Sequence, residues 1–182
     1  MERLNVNPTR MNLTTLKKRL VTARRGHKLM KDKRDSLMKG FLELARENKR
    51  FRDEVEAQLA EVYANFSVAS AAMSQEVMEE ALMYPKQGVE LEVGNKNIMS
   101  VNVPRFGYKT TAEDPTDIYP YGFASTSGEL DSAVDGLAAV LPAMLELAAK
   151  EKEAAMIAAE LEKTRRRVNA LEYVKIPQLE MT

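Results

Sequence analysis

The chain has 182 residues, 30% of them charged, with 27 Lys/Arg balancing 27 Asp/Glu, no cysteine and one histidine. The cysteine count excludes a disulfide framework and thiol chemistry. The sequence is read as lacking a run of about eighteen apolar residues, so no bilayer-spanning segment is expected, and its start lacks the apolar core of a signal peptide.

Gly, Pro and aromatics are sparse, a mix typical of long helices and coiled coils. Charge is uneven. Residues 1–40 hold twelve Lys/Arg against three Asp/Glu, residues 41–84 four against nine, and residues 129–182 seven against ten. The basic first segment is read either as a solvated helix face or as a surface for an anionic partner.

The first helix opens near Asn7-Pro8 or Asn12, where Asn caps and Pro suits the first helical position. Steps of three and four then pick out Leu13, Leu16, Leu20, Ala23, His27, Met30, Arg34, Leu37, Phe41, Leu44, Asn48, Phe51 and Val55. Ten of these thirteen are apolar, and a 3.5-residue period held this long implies a left-handed supercoil against a partner helix. The spacing changes to Leu59, Val62, Phe66, Ala69 and Met73, a stutter that unwinds the supercoil locally. With no Gly-Pro punctuation before Tyr84-Pro85, this helix is predicted to run for about 75 residues.

Residues 85–128 switch to period two. Val89, Leu91 and Val93 alternate, as do Met99, Val101 and Val103, and a β-hairpin is predicted with a five-residue loop over 94–98. This pairs Val93 with Met99, Leu91 with Val101 and Val89 with Val103. Residues 105–127 read as irregular loop, packed by Tyr108, Tyr119, Tyr121 and Phe123.

A second helix follows Ser127-Gly128, with Leu130, Val134, Leu137, Leu141, Met144 and Ala148, then Ala154, Ile157, Leu161, Val168 and Leu171 on its seam. Pro142 is expected to kink or break it near Val140–Leu141, and Pro177 to end or bend it. The fold predicted is all-α: a long antiparallel two-helix left-handed coiled coil with a small hairpin-and-loop insertion. Residues 8–84, 85–128 and 129–182 form its three parts. If residue 84 faces 129, paired numbers sum to about 213 and Thr182 faces about residue 31. The first thirty residues would then lack a partner helix, an exposed apolar stripe that is unfavourable in water. Either about 20–30 further residues or another chain is expected to cover it.

No P-loop, paired metal-ligand motif or nucleophile elbow is present. His27 sits on the seam, paired carboxylates such as Glu43/Glu47 have ordinary solvated-helix spacing, and the eleven methionines read as adaptable core filler. No catalytic, cofactor or metal residue is assigned.

Three strings carry a specific likeness: Leu4-Asn5-Val6-Asn7-Pro8-Thr9-Arg10 with Arg25-Gly26-His27-Lys28-Leu29; Asn97-Ile98-Met99 with Val101 and Val103-Pro104; and Glu162-Lys163-Thr164-Arg165-Arg166-Arg167-Val168-Asn169-Ala170-Leu171-Glu172-Tyr173-Val174 with Ile176-Pro177. The chain resembles the D subunit of the V-type and archaeal A-type ATPases, in order and over nearly its whole length. That resemblance implies a non-catalytic central rotor shaft, without cofactor, that enters the ring of catalytic A and B subunits. It also implies that the shaft binds the small F subunit of the stalk and docks on a membrane-proximal funnel subunit, on the cytoplasmic side and without entering the bilayer. The residues expected to bear on the ring are Arg10, Lys17, Lys18, Arg24, Arg25, Lys28, Arg165, Arg166 and Arg167. Phe66, Met73 and Leu137 are the expected contacts of the F subunit, and the hairpin is expected to influence ATPase coupling. A nucleic-acid-binding or tethering coiled coil is the alternative reading.

Overall fold

A computed structural model describes residues 3–111, 117–122, 124 and 126–182. The protein is mostly helical. Its elements are α1 (Arg10–Ala72), α2 (Gln75–Leu82), β1 (Val89–Ile98), β2 (Val101–Thr110), α3 (Gly128–Ala170), a π-helical turn (Leu171–Lys175) and α4 (Ile176–Met181). Contacts divide the chain into two units, residues 1–44 with 154–182 and residues 45–153.

The heptad reading of α1 matches its burial. Leu16, Leu20, Ala23, His27, Met30, Leu37, Phe41, Leu44, Phe51 and Val55 are all buried or half-buried, and Leu13 stays exposed. Arg34 and Asn48, the polar residues of the repeat, are half-buried with them.

In the first unit, α1 meets the C-terminal helical run antiparallel. Lys33 Nζ lies 3.3 Å from Glu160 Oε1, His27 Nε2 3.4 Å from Glu172 Oε2, and Arg24 Nη2 2.7 Å from Glu180 Oε1. Leu37, Ile157, Thr164 and Val168 are its buried side chains. The Leu4 amide donates to Thr182 Oγ1 at 3.1 Å. These contacts correct the expectation that the first thirty residues have no partner.

The correction originates in the second unit. α1 stops at Ala72 instead of running to 84, because Ser74 turns extended (ψ 151°) and its hydroxyl accepts from Val77 N to start α2. α2 then folds Met78 and Ala81 onto Ala69 and Leu130, with Met73, Tyr121 and Val134 packed around them. Because α1 ends twelve residues early, cross-helix partners in each unit sum to about 200, not 213. A second cluster joins Val55 and Val62 to Val140, flanked by Phe51, Leu59, Ala143 and Leu147.

α3 runs through Pro142 without a break, so of the kink or break expected there the break does not occur. Val140, Ala143 and Leu147, all packed against α1, hold the helix across the one hydrogen bond that proline removes. Pro177 is accommodated by the π-helical turn before it, where Ile176 N–H reaches back to the Leu171 carbonyl. The helical run Gly128–Met181 contains an eighteen-residue stretch of mean hydropathy 1.5, apolar enough by length and composition to cross a bilayer. Charged residues interrupt that stretch, so it is not an unbroken apolar run, and the alanines between them raise its mean hydropathy.

The predicted hairpin exists, but in another register. β1 and β2 pair over ten residues each, from Ile98↔Val101 at the turn to Val89↔Thr110 at the base. The loop is Met99-Ser100 alone, with φ 50° and 70°, the two positive values of a type I′ turn, whose twist matches that of the strands. Asn97 secures it: its Oδ1 accepts from Ser100 N and its amide donates to Asn102 Oδ1. The pairings of Val93 with Met99, Leu91 with Val101 and Val89 with Val103 are therefore wrong. Val93 faces Phe106, Leu91 faces Tyr108, and residues 105–110, expected to be loop, belong to β2. Val101 and Val103 are buried, whereas Val89, Leu91, Val93, Met99 and Tyr108 are exposed. The expected packing of Phe123 lies outside the described residues.

Candidate partner-binding surfaces

No group of three or more His, Cys, Asp or Glu side chains able to hold a metal ion occurs among the described residues. The functional features of this molecule are surfaces, and three stand out.

The basic surface lies in the first unit. Arg10, Lys17, Lys18, Arg25 and Lys28 are exposed, and among the described residues none of them is ion-paired. Arg24 is exposed but reaches Glu180. Arg165, Arg166 and Arg167 are all exposed between buried Thr164 and buried Val168, and Arg166 pairs with Glu162 one turn back. The triplet thus points outward as a group, because the seam contacts fall to its two neighbours.

The second surface is an apolar groove of about 270 Å³ in the second unit, lined by Leu59, Val62, Tyr63, Phe66, Leu82, Leu130, Ala133, Val134 and Leu137. Tyr63, Phe66, Leu82 and Leu137 keep 38–66% of their surface exposed. Phe66 and Leu137 come together here as expected, whereas Met73 is packed into the α2 cluster. Sequence reasoning missed Tyr63 and Leu82. Tyr63 stands three residues before Phe66 and four after Leu59, a spacing that marks a shared helix face. Leu82 is hidden when α2 is taken for a continuation of α1.

The third surface is the outer face of the hairpin. Glu92 and Lys109 form an ion pair across the strands, and Val89, Leu91, Val93 and Tyr108 sit exposed on the other face. The hairpin base is closed by Lys86 to Asp117 and by Gly88 to Thr111. The segment entering α3 is pinned by two tyrosines. Tyr119 donates to Asp135 at 2.6 Å and Tyr121 to Asp131 at 2.9 Å. The Asp135 bond pushes the Tyr119 hydroxyl up to about 12, and burial followed by the Asp131 bond raises Tyr121.

Two antiparallel helical segments carry an inserted hairpin and broad charged and apolar surfaces of the kind that meet partner molecules. The family model for the D subunit of ATP synthases matches residues 12–182, and the chain belongs to that family. It is 60% identical over 179 residues to the V-type ATP synthase D subunit of Acetivibrio thermocellus, covering 98% of this chain and 81% of the relative. Identity is 59% over 177 residues to the protein of the same name in Clostridioides difficile, covering 97% and 79%, and 56% over 183 residues to that of Clostridium novyi, covering 100% and 85%. The expected family is borne out, and the nucleic-acid or tethering alternative finds no support.

Proposed function

We propose that this chain is the central-stalk rotor component of a V/A-type rotary ATPase, turning with the catalytic cycle and linking it to ion movement through the membrane. The observation that carries the reading is membership of the D-subunit family over residues 12–182, joined to the antiparallel helix pairing within each unit. In this reading α1 and α3 wind as a left-handed coiled coil. The chain does no bond chemistry; nucleotide sites belong to the A and B subunits around it, and the assembly lies against the cytoplasmic side of the membrane.

Torque requires that the ring distinguish one orientation of the shaft from another, since states without differential contact cannot be driven. The exposed cations Arg10, Lys17, Lys18, Arg25, Lys28 and Arg165–Arg167 suit a bearing. Screened surface charges attract weakly and tolerate sliding. Arg24, already engaged by Glu180, contributes less. The Tyr63–Phe66–Leu82–Leu137 groove suits the F subunit, which would cover apolar surface too large to leave in water. The hairpin and the α2 end suit contact with the funnel component, and the hairpin is the element placed to influence coupling.

The test is reconstitution with the A, B and F subunits. Exchanging Lys17, Lys18, Arg25 and Lys28 for Gln should leave the chain folded and weaken ring engagement by roughly 1–2 kcal/mol in sum, at a few tenths per screened contact. Coupled ATP hydrolysis should fall with it. Unchanged assembly and unchanged coupling would sink the bearing assignment. L137D should release the F subunit while ring binding persists.

A further inference from the structure

At one level of the second unit directional bonds join the helices beside the apolar contact. Asn48, a polar residue on the apolar seam of α1, donates from Nδ2 to the backbone carbonyl of Lys150 at 3.1 Å. One turn along, Arg52 donates from Nε to Glu151 Oε1 at 3.0 Å, with Nη2 on the same oxygen. Between them, Lys150 Nζ lies 4.6 Å from the centroid of the Phe51 ring and 3.0 Å from Glu146 Oε1. Three α1 side chains within five residues thus grip two adjacent α3 residues through a backbone carbonyl, a carboxylate and an ammonium group.

The neighbouring α3 surface explains the need. Around this level it offers Leu147 between the small Ala143 and Ala149, so few large side chains fill the holes of α1 there. Apolar burial is non-directional, so a seam with few large side chains discriminates weakly between registers one heptad apart. A buried polar residue on the seam is the known device for fixing register, at some cost in stability. Asn48 shows that cost directly: its Oδ1 is buried without a hydrogen-bond partner among the described residues.

We propose that Asn48, with Arg52–Glu151 and the Phe51–Lys150 contact, is a register lock. These positioning residues stop α1 from sliding or rolling on α3, so that torque delivered to one helix is carried by both. The inference rests on the rotor reading for its purpose, though the lock itself is a property of this chain alone.

The absence of native cysteine makes the test clean. Leu59 and Ala143 pack in the same cluster; L59C with A143C should oxidise to the in-register disulfide, and L59C with A149C, whose numbers sum to 208 against 198–203 for the native cross-helix bonds of this unit, should report a slip of about one heptad. In the native background only the first pair should cross-link. N48L should let the second form as well, with a thermal midpoint unchanged or raised, since leucine suits the seam. In the reconstituted complex N48L should lower ions moved per ATP by about twofold or more while hydrolysis continues. R52E alone should do the same, and R52E with E151R should restore the ratio. A native cross-linking pattern in N48L, or an unchanged ion-to-ATP ratio, overturns the proposal. If the native chain itself fails to support pumping, the rotor reading falls, and cross-linking of the full-length chain still decides whether the lock exists.

Discussion

Single side chains settle how closely the helices approach. A Cβ on Gly136 would meet Val62 Cγ2 at 2.8 Å, and valine is stiff at χ1. G136A should therefore cost about 1–3 kcal/mol from overpacking, offset in part by about 1 kcal/mol of helix propensity. V62A in the same chain should recover part of the loss in a denaturant titration. Gly40 is the contrast, where a methyl group added at the α-carbon would meet nothing within 4 Å. G40A should stabilise by about 0.5–1 kcal/mol in the same assay. Tyr119 offers a pH test. Its hydroxyl, ordinarily near 10, is held at about 12 by donating to Asp135. A folded-state value above the unfolded one means that this contribution is complete below about pH 10 and is lost as pH rises through about 12. Ultraviolet titration should show Tyr119 and Tyr121 ionising above the ordinary tyrosine range, and D135N should bring Tyr119 down toward it.

At the scale of elements, the hairpin shows what alternation does and does not specify. Period two locates both strands, but it puts Val89/Leu91/Val93 and Val101/Val103 on one face only if odd positions pair with odd. A two-residue turn pairs odd with even, so the two sets lie on opposite faces. Met99 and Ser100 both hold positive φ, a conformation that Asn and Gly adopt at lower cost. M99N with S100G should slow hydrogen exchange across β1 and β2; faster exchange would contradict the turn type. The end of α1 teaches a related lesson. Ser74 with Glu76 two residues on is a helix-start signal, and an apolar pattern that continues through Met73 and Met78 outweighs it in the sequence. Only the folding of Met78 and Ala81 against Leu130 makes α2 a separate element.

Across the whole molecule, the cross-helix ion pairs share one polarity. Arg24, Lys33 and Arg52 of α1 face Glu180, Glu160 and Glu151 of the C-terminal helical run. Two copies of α1 laid parallel would set basic residues against basic residues over residues 1–40, so the pattern disfavours parallel pairing between chains. These pairs are largely exposed and individually weak. Raising salt should therefore lower the unfolding midpoint only slightly, while the discrimination against parallel α1 self-association should weaken measurably in sedimentation.

By itself the sequence determined the helical class, the seam along α1, the existence of a hairpin, the outward basic residues and the family likeness. Each of these is written in local period or in residue type. The tertiary structure alone decided the register of the helices, the break at Ser74, the pairing of the strands and the passage of α3 through Pro142. Those depend on which distant side chains meet, and the competing arrangements have nearly the same local preferences. The contacts of Met78 with Leu130, of Val62 with Gly136 and of Asn48 with the Lys150 carbonyl supply the difference.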